Sequence, residues 1–142
     1  LYDVFPTVCE LAGVPIPGRV DGKSLVPVMA GQAKRVRDHA FTAYKEVQRA
    51  VRDDRWKLIR YPQIDRTQLF DLQNDPRERT DLAGKPEWAP KVKEMLALLA
   101  DQQKQYGDTC PLTVADPRPA AWSPPPDEPQ PAPGQRGQAG RQ

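Results

Sequence analysis

The placement of proline limits what this chain can fold into more than any other feature. Of 17 prolines in 142 residues, nine lie from Pro111 onward. They fall in a stretch that ends "WSPPPDEPQPAPGQRGQAGRQ" and has almost no aliphatic side chains. Such a segment cannot bury enough apolar surface to offset the entropy of ordering it. Residues 109–142 therefore read as a disordered, partly polyproline-II-like tail. About 110 residues remain to fold, enough for one modest core.

Charge excludes some partners. The formal net charge is +2, and basic residues alternate with acidic ones, as in "RDDRWK" and "NDPRERTD". No basic block or stripe of the kind that grips nucleic acid is present. No apolar run approaches the length of a membrane span. Neither nucleic acid nor a membrane is an expected partner. Cys9 and Cys110 are two widely spaced thiols, which make neither a disulfide framework nor a metal cage.

Two short helices are predicted first. Asp3 is a good N-cap, with Val4, Phe5, Val8, Leu11 and Ala12 on one helical face and Gly13 as the stop. Pro6 fits that first turn, where a missing N–H loses no partner. After an irregular Pro/Gly loop, Ser24 caps a second short helix that Gly31 ends.

The period then changes. "HAFTAYKEVQRAVRDDRWKLIRYP" reads as strands, with Asp53-Asp54 at a hairpin turn. Alternation puts Trp56, Leu58 and Arg60 on one face and Lys57, Ile59 and Tyr61 on the other. Pro62 stops that strand, and "TQLFDL" forms another, ended by Asn74-Asp75-Pro76. Trp88, Val92, Met95, Leu96, Leu99 and Tyr106 recur at helical spacing, with Pro90 in the first turn. The expected fold is a two-layer α+β unit: a small antiparallel sheet packed on a C-terminal amphipathic helix.

Three phrases in order resemble the C-terminal part of the sulfatase family. They are "YDVFPTVCELAGVPIPGRVDGKSLVPVMAG", with an Asp-x-x-Pro-Thr helix followed by an Asp-Gly-x-Ser-Leu loop, then "RAVRDDRWKLIRYP", then "QLFDLQNDPRERTDLA". They span about Tyr2 to Ala83. The resemblance implies that Leu1 is a break inside a longer protein of alkaline-phosphatase-like architecture. Residues 1–36 are then the last helices of the large α/β domain, 37–108 the C-terminal subdomain and 109–142 the tail. It also implies a periplasmic or secreted setting, although the residues themselves leave the compartment unassigned.

Such sulfatases hydrolyse sulfate esters or sulfamates with a formylglycine made from Cys or Ser in a Cys/Ser-x-Pro/Ala-x-Arg motif. A calcium ion held by Asp and Asn oxygens neutralises the sulfate. Cys9 begins "CELAG", with Leu11 and Gly13 where Pro/Ala and Arg are needed, and Cys110 begins "CPLTV", which fails likewise. Cys9 reads instead as a packed free thiol. The resemblance thus implies that calcium and formylglycine belong to a missing N-terminal domain, and that no catalytic residue or metal ligand lies in this chain. Asp53, Asp54 and the acids from Asp71 to Asp81 read as turn and surface chemistry, and His39 as a surface or structural residue.

One patch is a candidate for substrate binding. "TAYKEVQRAV" enters the sheet, and the corresponding family segment passes near the substrate cleft. Tyr44, Lys45, Gln48 and Arg49 offer a stacking ring, two cations and an amide, donors that a sulfated sugar needs. Many family members carry an acid about where Ala43 stands. The alternative is that these side chains only cover sheet and interface. Arg52, Arg55, Arg60 and Arg66 read as solvated strand faces or domain-interface partners, and Trp56 and Trp88 as sheet–helix contacts. Trp122 has no visible partner.

Three functions compete. The first is the C-terminal part of a sulfatase acting on sulfated carbohydrate, inactive alone, with Phe5, Val8 and Leu11 exposed for want of the sheet they pack on. The second is a phosphonate or phosphate monoester hydrolase of the same superfamily. The third is a standalone interaction module with a proline-rich arm.

Overall fold

This computed structural model describes residues 2–121, so Trp122 and the 122–142 part of the tail expected over 109–142 lie outside the described residues. The centre is a four-stranded antiparallel meander in the order β1 (Ala40–Tyr44), β2 (Gln48–Arg52), β3 (Trp56–Tyr61), β4 (Arg66–Asp71). Two helices, α1 (Val4–Leu11) and α2 (Val26–Met29), precede it, and α3 (Ala89–Gln105) follows. The small antiparallel sheet on a C-terminal helix is the architecture that the alternating and helical periods predict.

Register explains the core. Val51 stands opposite Leu58, and Leu58 opposite Leu69. One side chain from each of three strands therefore points at α3, where Met95 and Leu99 meet them with no solvent exposure. Trp56 extends this layer and packs its ring 5.1 Å from that of Trp88. Pro90 sits in the first turn of α3, as its chemistry allows. The hairpin turn at Asp53 works through its carboxylate, whose Oδ1 accepts the N–H groups of Arg55 (2.7 Å) and Trp56 (2.6 Å).

Three details depart from the sequence reading. The face opposite α3 is not simply solvated, because Ala50, Ile59 and Phe70 form a second buried cluster there, flanked by Tyr61 and Leu72. Arg60 is buried rather than a solvated strand residue. It donates to the Leu112 carbonyl (2.7 Å) and Thr67 Oγ1 (3.1 Å) and pairs with Asp65. Finally, contacts continue beyond residue 108. Leu112 packs against the main cluster, and the Arg118 N–H donates to the Gln63 carbonyl at 2.8 Å. Residues 109–121 carry no helix or strand, yet part of this segment lies against the sheet.

The apolar stripe of α1 faces outward. Val4, Phe5, Val8 and Leu11 are 51–63% exposed, while Pro6, Thr7 and Cys9 form the buried side. Cys9 is thus packed, but on the side opposite most of the stripe. No helix among the described residues is long and apolar enough to cross a membrane.

Candidate functional site

The β1–β2 hairpin carries the four residues expected to bind substrate, and the period of the strand divides them. Tyr44 pairs with Gln48 in register, so both point to the face away from α3. Lys45 follows in the turn at φ 45°, in the left-handed region. Its Nζ lies 5.8 Å from the centroid of the exposed Tyr44 ring. A ring, an ammonium group and an amide therefore gather at one exposed tip.

Arg49, one residue further, points the other way. Only 5% exposed, it lies on the α3 side. Its Nε and Nη2 donate to Asp108 at 2.5 and 3.0 Å, a two-point contact with both carboxylate oxygens. Its Nη1 donates to the carbonyls of Lys45 (2.5 Å) and Gln48 (2.9 Å). All three guanidinium nitrogens are engaged within the protein. Arg49 does not join the exposed tip; it holds the turn that presents it.

Asp108 reaches Arg49 because of how α3 ends. Gly107 adopts φ 66°, and the N–H groups of Gly107 and Asp108 donate to the carbonyls of Lys104 and Gln103. This left-handed termination folds Asp108 back over the last turn. Gln103 Nε2 donates to it at 2.8 Å. The Arg49 guanidinium holds the Asp108 carboxyl at about 2, below its ordinary 3.8, against the opposing effect of burial; Gln103 and the Cys110 N–H assist. The same pair raises the Arg49 value. A Gly-Asp after a long amphipathic helix was the available signal, but it does not name the distant partner.

A second lock lies at the N-terminal side. Asp3, expected to cap α1, makes no such bond. Its Oδ1 accepts the Lys23 N–H at 2.9 Å and pairs with Arg37. Thr7 Oγ1 accepts the Leu25 N–H at 2.9 Å and donates to the Asp3 carbonyl at 2.5 Å. Gly22 lies so close that a Cβ there would meet the Tyr2 carbonyl oxygen at 2.0 Å. The Asp-x-x-Pro-Thr helix and the Asp-Gly-x-Ser-Leu loop thus form a single clamp.

The chain has relatives over most of its length. A family model described as N-sulphoglucosamine sulphohydrolase, C-terminal, matches residues 2–105. The chain belongs to this sulfatase family. It is 37% identical over 121 residues to an N-acetylglucosamine-6-O-sulfatase of Bacteroides thetaiotaomicron, covering 77% of this chain and 22% of that protein. A solved structure in complex with its substrate D-glucosamine-2-N,6-O-disulfate is 34% identical, with a TM-score of 0.68, over 78% of this chain and 25% of the other. A phosphonate monoester hydrolase of Agrobacterium radiobacter is more distant, at 25% identity and a TM-score of 0.57, over 73% of this chain and 24% of the other. The chain spans about a quarter of the length of these proteins.

The sulfatase family's metal and nucleophile do not fit the residues in hand. Among the described residues no three side chains of His, Cys, Asp or Glu converge as a cation cage. The carboxylates are engaged otherwise. Asp71 accepts Arg55 and Asn74, and Arg55, then Asn74, hold it at about 2. Asp81 accepts the Leu69 and Ala83 N–H groups. Cys9 is buried beside a sequence that is not a formylglycine motif.

Proposed function

We propose that this chain is the C-terminal part of a sulfuric ester hydrolase acting on sulfated carbohydrate. The observation that carries this reading is its likeness to the N-acetylglucosamine-6-O-sulfatase over most of the chain. Calcium and formylglycine are assigned to polypeptide outside this chain, and the 142 residues alone are expected to be inactive. Residues 1–36 then close the large α/β domain, with the exposed Phe5, Val8 and Leu11 as its packing surface. Residues 37–108 form the subdomain, and Leu112 and Arg118, in the stretch expected as tail, still pack on it.

In this reading Tyr44, Lys45 and Gln48 meet the substrate. Tyr44 offers a ring face, Lys45 an ammonium for a sulfate, and Gln48 an amide for hydroxyls. Arg49 is a positioning residue: its bonds to the Lys45 and Gln48 carbonyls and to Asp108 fix the hairpin tip. The more distant likeness to a phosphonate monoester hydrolase supports the second reading less well.

The test is turnover by the full reading frame. The purified full-length protein should release sulfate from N-acetylglucosamine-6-sulfate and leave a phosphonate monoester largely intact. Lys45→Ala should raise KM more than it lowers kcat. Preferential phosphonate hydrolysis would replace this reading with the second one.

A further inference from the structure

A cavity of about 360 Å³ opens where three segments meet: Lys23 in the loop after α1, residues 35–39 leading into β1, and Gln105 at the end of α3. Its volume is at the small end of ligand sites, roughly 300–1,000 Å³. Most polar groups in its lining are hydrogen-bond donors. Arg37, half-buried, uses Nη2 on Asp3, and its Nε and Nη1 bond to nothing among the described residues. The Lys23 ammonium pairs with no carboxylate among the described residues. Gln105 Oε1 accepts Nε2 of the buried Gln102 at 3.1 Å, which leaves the Gln105 amide nitrogen as its free end. His39 adds a ring nitrogen. The one carboxylate in the lining, Asp38, already accepts Arg35 Nε at 2.8 Å.

Such a lining rejects cations and suits an oxyanion. Lys23, Arg35 and Arg37 bring positive charge to it, against the single carboxylate of Asp38. Ammonium, guanidinium and amide N–H groups make short bonds to the oxygens of a tetrahedral anion, strengthened by charge. Sulfate fits this donor-rich lining better than phosphate. At neutral pH much of phosphate carries an O–H that needs an acceptor, and Arg35 holds the Asp38 carboxylate that would supply one. Sulfate has no O–H to place. A long polyanion fits less well, because it would run against the exposed carboxylates of Asp38 and Asp54 beside Arg35. The donors come from separate segments, so one small anion ties the loop after α1, the lead into β1 and the end of α3 to one another.

We infer that this cavity binds inorganic sulfate between Lys23, Arg37 and Gln105. The inference uses no residue of the hairpin tip and stands apart from the carbohydrate reading. The test is an NMR titration of the 142-residue chain with sodium sulfate against sodium chloride at constant ionic strength. Sulfate should shift the Arg37 Nε–H, the Gln105 side-chain amide and the Lys23 backbone amide together and to saturation. Phosphate should do so only at higher concentration, and chloride should leave them in place. Lys23→Ala should weaken sulfate about tenfold. Gln105→Glu keeps an oxygen for Gln102 but puts a second carboxylate in the cavity, and should weaken sulfate by more than that. Lys93→Ala, at an exposed position of α3 outside the cavity, should leave the affinity unchanged. Absence of shifts, shifts that grow without saturating, or shifts that chloride reproduces would overturn the inference. An equal loss in Lys93→Ala and Lys23→Ala would reduce the effect to general surface charge and overturn it too. Tighter binding of phosphate than of sulfate would overturn the assignment to sulfate.

Discussion

Arg49 and Arg60 stand directly opposite each other on β2 and β3, and both are buried, at 5% and 7% exposure. Like charges placed so repel across a strand pair. The arrangement is tolerated because each guanidinium has its own carboxylate, Asp108 for Arg49 and Asp65 for Arg60. One of those partners comes from the end of α3 and the other from the β3–β4 turn. The charge balance of the sheet therefore depends on one carboxylate 59 positions from its arginine and on another only five away.

Removing Asp108 should be costly. Asp108→Ala leaves a buried guanidinium without its counter-ion and facing another, a change that costs about 3–5 kcal/mol. Urea unfolding should show that loss, and Arg49→Lys should recover only part of what Arg49→Ala loses, because an ammonium cannot make the two-point contact. An Asp108→Ala chain as stable as the parent would show that the pair is not buried in solution.

Acid should act through the same carboxylates. Asp108 and Asp71 are both held at about 2, below the ordinary 3.8. At a pH between those values the unfolded chain binds more protons than the native one, so stability falls as pH falls. The stabilisation is complete above about pH 5 and is lost progressively from there as pH falls through about 2. Urea midpoints measured from pH 5 to pH 2 should decline, and the double variant Asp71→Asn/Asp108→Asn should decline less steeply.

The clamp between α1 and its loop has no room at Gly22. Gly22→Ala would place a Cβ 2.0 Å from the Tyr2 carbonyl oxygen, so the backbone must separate. Overpacking of this kind costs about 1–3 kcal/mol. Hydrogen exchange of the Lys23 and Leu25 amides, which bond to Asp3 and Thr7, should accelerate, while the sheet amides change little.

The two apolar surfaces should respond differently to truncation. Leu99→Ala, at full burial between α3 and the sheet, should cost about 2–5 kcal/mol. Phe5→Ser and Leu11→Ser, on the exposed stripe of α1, should stay within about 0.5 kcal/mol in this chain and should weaken any self-association that sedimentation velocity detects in the parent. Sedimentation velocity together with urea unfolding separates the two outcomes.

Local pattern carried most of the fold. Strict alternation in "RWKLIRY" identified the face that meets α3, and the spacing of Val92, Met95 and Leu99 identified the face of α3 that meets it. Proline and Asp-Asp turns marked the strand ends. The site was less legible. Tyr44, Lys45, Gln48 and Arg49 are close in sequence, but the period of two turns Arg49 away from Tyr44 and Gln48. Asp3 carried the signature of a cap, yet two distant N–H donors, on Lys23 and Arg37, take its carboxylate instead.

By itself the sequence determined the element types, the contact faces of the sheet and α3, and the sulfatase family, because periodicity and motif order are properties of neighbouring residues. Only the tertiary structure decided which carboxylate meets which guanidinium, and hence that Arg49 holds the hairpin rather than extending from it. A buried charge takes whatever counter-ion the fold brings within hydrogen-bonding distance, and Arg49 and Asp108 are 59 positions apart.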